Sequence, residues 1–448
     1  MTVQTTTLRN FQFVAGLVLI FLTGCDASEQ SPANAATGQN IGQYVIRVLL
    51  DDKISAASFM VDSPYQIACV DTTEVFPAQK TDETINAKLQ TDGIKIGPQL
   101  FKTKRLIIEP QSNLPFRINH QSYRGSLEFI TNDDGNSMMA INNVPLETYL
   151  AGVISAEMPG YWEAEALKAQ AIAARTYCLY IKSRFGKNRS WDIKATQANQ
   201  VYKGVAAETM RTTNAVNATA GMVLCCEDES GTCEQFPAYY SSVCGGHTEN
   251  AQDVFGESAP ALKGVDCPYC KEITRPDIFY WPMASFDKQY VTEKLIDRYP
   301  NLKELGQIEK IEPAKETSYE STVLRKGLPP GTSLFKRIVS VKLTGSARQT
   351  PKVSGRINEP NLPQASPKTA YLRAEDFRLA IDSTGTKIQS TSCIIVSLEK
   401  EFIFVAGIGF GHGVGLCQYG ARQMAREGKT AQEILNYYYP NSRIKILY

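Results

Sequence analysis

The chain has 448 residues, long for a single domain, so two or three packed units are expected. Its 43% hydrophobic and 21% charged residues are ordinary for a globular protein. Lys+Arg 47 against Asp+Glu 46 leaves almost no net charge, whereas nucleic-acid binders usually carry a strong basic bias. Nucleic acid is therefore not an expected partner, and any anionic ligand must be held by local charges.

Residues 1–25 read as an export signal. Arg9 precedes the apolar run Phe13–Leu22, which is too short to span a membrane permanently, and small residues follow. The tetrapeptide Leu22-Thr23-Gly24-Cys25 resembles the lipobox of bacterial lipoproteins, in which the cysteine is acylated and becomes the mature N-terminus. The alternative is an ordinary signal with an incidental cysteine. With Cys25 as the lipidation site, the protein is exported and membrane-anchored, facing periplasm or cell wall. Ten further cysteines make disulfides permissible without making a disulfide scaffold.

Residues 26–41 are small and polar and read as a flexible tether. Across 42–140, short alternating runs (Tyr44–Leu50, Ser58–Val61, Leu106–Ile108, Ser126–Thr131, Ser137–Ile141) predict a β-rich N-terminal region. Two helices open a core over 141–275. In the first, Pro145 suits the start, Leu146, Tyr149, Leu150, Val153 and Ile154 share a face, and Pro159-Gly160 stops it. The second runs from Trp162 to Lys182, with Leu167, Ala171, Ala174, Cys178 and Ile181 as its buried stripe. An accessory segment over 276–390 holds a predicted helix at Ser285–Arg298, a strand near Arg337–Leu343 and the proline-rich stretch Pro351–Pro367. Residues 391–448 supply strand-like sequence, a glycine-rich loop, a helix over Gln418–Arg426, and a last helix opened by the capping box Thr430–Glu433. The fold class is α+β, with the accessory segment inserted into a core that the C-terminus completes.

Glu157 is the sharpest chemical candidate. It falls at a helix C-terminus, where partial negative charge disfavours a carboxylate, and Met158, Pro159, Tyr161 and Trp162 add desolvation. A glutamate held protonated near neutrality suits general acid catalysis, but a solvated glutamate in a fraying turn fits the position too. Lys168 and Arg175 lie seven residues apart on one face of the next helix, about 10 Å along its axis. They fit either ion pairs to Glu147 or Glu165 or the binding of substrate carboxylates.

Cys244-Gly-Gly-His247 with Cys267-Pro-Tyr-Cys270 has the ligand types and spacing of a closed tetrahedral zinc site. That spacing favours a structural Zn2+ over a Cys267–Cys270 disulfide, and no organic cofactor is expected. The alternative is that His247 faces a substrate. His412, in Gly411-His-Gly-Val-Gly415, fits either a substrate contact or a structural histidine, and the spacing does not match a phosphate loop. A bridge across the Cys225/Cys226–Cys233 turn is open, while Cys69, Cys178, Cys393 and Cys417 read as buried thiols.

The run Val144-Pro-Leu-Glu-Thr-Tyr-Leu-Ala-Gly-Val-Ile-Ser-Ala-Glu157-Met-Pro, continued by Glu165-Ala-Leu-Lys168-Ala-Gln170-Ala-Ile-Ala-Ala-Arg175-Thr-Tyr177, resembles the signature of the stage II sporulation protein D (SpoIID/LytB) family. Gln200-Val-Tyr202-Lys-Gly204, Ala238-Tyr-Tyr-Ser-Ser242 with Gly245-Gly-His-Thr-Glu249, and Gly409-Phe-Gly-His412-Gly-Val-Gly415 with Gln418-Tyr-Gly-Ala421 continue the likeness in order. The resemblance implies a lytic transglycosylase acting on peptidoglycan glycan strands stripped of stem peptides. It implies catalysis by Glu157 and favours the substrate-binding reading of Lys168 and Arg175. Gln170, Tyr202, Ser241, Ser242, His412, Gln418 and Tyr419 would be further substrate contacts. The cleft is expected where the Glu157 helix end meets the Gly411–Gln418 loop. Some relatives look zinc-bound near Cys244, and others carry serine there. Relatives also include modifiers of other wall hydrolases, so a non-catalytic wall-binding or amidase-activating lipoprotein is the alternative, with a zinc-dependent wall hydrolase behind it.

Overall fold

The computed structural model describes residues 44–79, 83–196, 199–227, 230–317, 336–348 and 367–448. The signal, the tether and nearly all of Pro351–Pro367 lie outside them. Among the described residues no helix is long and apolar enough to cross a membrane.

The chain is mixed helix and sheet, with two β-sheets forming the N-terminal part. One has seven strands, in the order Ile193–Lys194, Val45–Ile54, Met138–Pro145, Ser126–Thr131, Arg105–Pro110, Tyr65–Cys69 and Glu74–Gln79. The other has six strands drawn from Ala56 to Tyr123. Alternation at period two buries one face of strands such as Tyr65–Cys69, where Tyr65, Ile67 and Cys69 point inward. The inner faces meet through Phe59 and Phe129, ring centroids 6.2 Å apart, and through Phe76 and Phe101 at 4.9 Å.

Met138–Pro145 is paired on both sides and runs without a loop into helix α1, Leu146–Glu157. Pro145, at φ −57°, is preset for that junction. The Met158 amide bonds back to the Ile154 carbonyl, Pro159 ends the helix, and a turn closed by Trp162 N–H to the Pro159 carbonyl leads into α2, Ala164–Phe185. Helix α2 is buried over most of its length. Its alanines at 166, 169, 171, 173 and 174 let α1, α3 (Met210–Ala218) and the two C-terminal helices pack closely around it.

Two hydrophobic cores result. The first runs from Ile46 to Phe279 and resumes from Ile408 to Tyr439. The second lies wholly between Trp281 and Phe404. In the second, Ala284–Asp287 is a strand paired with Glu401–Val405, so the helix expected from Ser285 starts later, at Lys288. Phe286 packs on Phe404, and Asp287 caps the helix through the amides of Gln289 and Tyr290. A buried arginine of this second part, Arg337, donates to the Gly411 carbonyl at 3.1 Å and ion-pairs with Glu249 at 3.4 Å. It thereby braces the glycine-rich loop.

Helix α1 approaches its neighbours so closely that Gly152 has no room for a side chain. A Cβ there would meet the Tyr202 ring at 2.6 Å and the Gly204 carbonyl oxygen at 3.0 Å. Tyr202 cannot yield, because it is buried and its hydroxyl is fixed on Asn142 at 2.9 Å. Helix propensity alone would make Gly152→Ala stabilising by about 1 kcal/mol. Overpacking is expected to reverse the sign, costing about 1–3 kcal/mol in urea unfolding. An unchanged or raised midpoint would contradict this packing.

Candidate active site and four-cysteine cluster

Glu157 ends α1 with its carboxyl turned into the protein. Oε1 accepts from the Val201 amide at 2.9 Å, and the Tyr240 hydroxyl and the Gln418 side chain lie against the same carboxyl. Gln418 Nε2 has no hydrogen-bond partner among the described residues. Tyr240 is held in turn: its hydroxyl accepts from Gln200 Nε2 at 3.1 Å, and Gln200 Oε1 accepts from the Tyr149 hydroxyl at 3.0 Å. Burial raises the acid from 4.5 to about 7 against the opposing pull of those three polar neighbours. Among the described residues no cation pairs with it.

The glycine-rich loop brings Gln418 into place. Tyr240–Ser241 pairs in parallel with Leu416–Cys417, Val243 bridges Phe410, and Glu249 bridges Val414. His412 sits between the rings of Tyr239 and Phe255, and its Nδ1 accepts from the Val414 amide at 3.0 Å. Burial lowers it to about 4, so it stays neutral. Its ring is packed between two aromatics with Nδ1 taken by the Val414 amide.

Arg175, Gln170 and Tyr202 are too buried for the substrate contacts expected of them, and the other residues are placed as follows. Arg175 is fully buried and forked onto Glu147 at 2.8 and 2.6 Å, with further bonds to the carbonyls of Met222 and Val216. Its guanidinium is spent within the core. Lys168, a third exposed, bonds Glu165 at 2.7 Å. These are the two ion pairs that the sequence left open, and neither cation aims Glu157. Tyr202 is buried on Asn142, and Gln170 is wholly enclosed in α2. Ser241 is buried with its hydroxyl unpartnered among the described residues, and Ser242 uses its carbonyl to accept from the Tyr419 amide. Tyr419 is half-buried, its ring 4.8 Å from that of Trp162. Tyr240 and Gln200 escaped selection, although both lie in the sequence blocks that carried the family likeness. Nothing local to either says that a hydroxyl and an amide are to be strung toward Glu157.

Beside this pocket, Cys244, Cys267, Cys270 and Cys417 bring four buried sulfurs within 4.8 Å of one another. His247, expected as a ligand, stands outside the four, and Cys417 takes its place because Leu416–Cys417 pairs beside Tyr240–Ser241. Cys244 and Cys270 Sγ are 3.7 Å apart, so they are free thiols and not a disulfide at about 2.05 Å. That separation fits two sulfurs on a tetrahedral zinc with bonds of about 2.3 Å. The other open cysteine question resolves separately, with Cys225 joined to Cys233 in a disulfide.

Residues 134–225 match the family model described as stage II sporulation protein. An uncharacterized protein of Brachyspira hyodysenteriae is 28% identical over 397 residues, covering 89% of this chain and 92% of its own. Stage II sporulation protein D of Bacillus subtilis is 28% identical over 321 residues, 68% of this chain and 76% of its own. The amidase enhancer of Bacillus subtilis is 26% identical over 373 residues, 80% of this chain and 48% of its own.

A raised acid opposes folding when it ionises. The folded state binds the Glu157 proton more tightly than the unfolded one, so stability falls as pH climbs from 4.5 to about 7. Glu157→Gln keeps the shape and removes the ionisation. The variant should match wild type in urea unfolding at pH 4 and exceed it by up to about 3 kcal/mol at pH 8. Equal stabilities at pH 8 would mean that this carboxyl ionises without penalty.

Proposed function

Starting from a chain that belongs to the SpoIID family of stage II sporulation proteins, we propose that it is a peptidoglycan lytic transglycosylase cutting denuded MurNAc–GlcNAc strands. The observation that carries this reading is the Glu157 carboxyl, held near neutrality by burial and surrounded by uncharged hydrogen-bonding groups. In the first half-reaction Glu157 gives its proton to the glycosidic oxygen as the muramyl C1–O bond breaks. In the second, the resulting carboxylate takes the proton of that sugar's C6 hydroxyl while its oxygen bonds to C1. The products are a 1,6-anhydro-muramyl end and a free C4 hydroxyl. Glu157 regains its proton and no water is consumed, so one carboxyl suffices where hydrolytic glycosidases use two. Tyr240 and Gln418, neutral partners on the same carboxyl, would hold its orientation through both protonation states.

The four thiols fit one structural Zn2+ held by Cys244, Cys267, Cys270 and Cys417. Four sulfur ligands leave no open position for water, so the metal would clip the loops together, and the zinc-hydrolase alternative loses its support. Cys25 would be the acylated anchor that keeps the exported chain beside the wall. The likeness to the amidase enhancer sustains one second reading, a wall-bound partner of another hydrolase that does not itself cut.

Mass spectrometry of denuded glycan incubated with the soluble chain separates these. Anhydromuramyl ends are expected with wild type and a loss of at least about 10³-fold with Glu157→Gln, acid–base catalysis being worth about 10²–10⁴. Reducing muramic ends would mean hydrolysis, and no cleavage at all would leave the partner role. For the metal, about one zinc per chain is expected by elemental analysis. Cys417→Ser should lower zinc content and melting temperature, while His247→Ala should retain zinc; the reverse pattern would restore His247 as the ligand.

A further inference from the structure

Lys168 and Arg175 are committed to Glu165 and Glu147, so a strand carrying carboxylates must find its cations elsewhere. The turn just after Glu157 supplies an alternative. Tyr161 is 70% exposed although it sits between the stop of α1 and the buried Trp162. Gly160 rests against Thr209, the cap of α3, which puts Met210, 81% exposed, on the same rim. Two large apolar side chains are thus left bare beside a polar pocket.

Arginines frame them. The Arg422 guanidinium carbon lies 5.7 Å from the Tyr161 ring centroid and 4.9 Å from that of Trp162, with Nε on Glu163 at 3.3 Å. Its two terminal nitrogens have no protein partner among the described residues. Arg211 donates to the Trp162 carbonyl at 2.9 Å, and Arg426 reaches Glu163 at 4.0 Å. Arg422 and Arg426 therefore share one carboxylate, Glu163, and Arg211 stands on the same rim through the Trp162 carbonyl. The rim also adjoins the acid: Gln418 lies against Glu157, and its neighbour Tyr419 packs on Trp162. Tyr161 is four residues from Glu157, a span of at most about 14 Å, within reach of neighbouring sugars on one strand.

We propose that Tyr161 is the stacking platform of a sugar subsite flanking the cleaved bond, and that Arg422 binds the carboxylate borne by the ring seated there. This rests on the reading of Glu157 as the acid that acts on glycan. A pyranose offers one face of C–H bonds to an aromatic ring, and a guanidinium presents a planar fork to a carboxylate. A ring carrying both features, a pyranose with a carboxylate substituent, is the ligand class that the rim fits. Arg422 stays aligned through its contact with Trp162 and its bond to Glu163.

The test uses the mature chain carrying Glu157→Gln, so that binding is read without turnover. Calorimetry compares a denuded GlcNAc–MurNAc tetrasaccharide with chitotetraose, which has the same backbone and no carboxylate. Adding Tyr161→Ala should weaken both about tenfold, equivalent to about 1.4 kcal/mol, and Tyr161→Trp should restore them. Adding Arg422→Gln should weaken only the carboxylated ligand, with the melting temperature checking that loss of the Glu163 pair has not unfolded the rim. The proposal fails if Tyr161→Ala leaves both affinities within about twofold, if Arg422→Gln weakens both ligands alike, or if the parent binds neither. Failure of wild type to cut glycan would sink the enzymatic reading alone, since these affinities do not depend on cleavage.

Discussion

The site depends on keeping positive charge away from one carboxyl. A cation within about 4–6 Å would pull the Glu157 acid back down by one to three pH units and leave it ionised at neutrality. Arg175 is buried in the helix packed against α1, yet Glu147 takes its guanidinium with two bonds, and Tyr448 closes on the same glutamate. That arginine is thus held at the first turn of α1, ten residues and about 15 Å along the axis from the acid at its last turn. The acid itself stands beside an amide, a phenol and a carboxamide.

The same logic explains why the pocket is assembled from distant pieces. Val201 and Tyr240 follow α2, while Gln418 arrives on the C-terminal loop. Cys417 precedes Gln418 directly and belongs to the four-sulfur cluster, so fixing the sulfur fixes the carboxamide one residue on. Arg337 performs the corresponding task at the other end of the loop by bonding Gly411. At Gly413 that arginine leaves no space for a side chain, because a Cβ would meet its Nη2 at 2.7 Å. The loop's glycines therefore serve close packing by its neighbours as well as its own turns.

What the sequence disclosed follows the range of the forces involved. Helix α1 and its stop were legible because period, Pro145 and Pro159-Gly160 are local, and the capping box at Thr430 was legible for the same reason. The early strands showed in their alternation. The identity of the fourth sulfur was not legible: Cys417 looks like any buried thiol until a parallel pairing carries it beside Cys244. The partner of Arg175 was left open because Glu147 is 28 residues away and only packing selects it. The strand at Ala284–Asp287 escaped because its four residues also fit a helical pattern, and pairing with Glu401–Val405 decides between them.

One feature of the chain order governs when activity can exist. The second core, from Trp281 to Phe404, is spliced between the segment that bears the acid and the segment that bears its carboxamide partner. Glu163 and Arg422, which meet beside the pocket, are 259 residues apart in the chain. A chain whose C-terminal segment has not yet docked therefore carries Glu157 in an open, wet pocket, without the burial that raises its acid. Competence for the proposed cleavage comes only after the last helices have docked, which makes the final step of folding the one that completes the site.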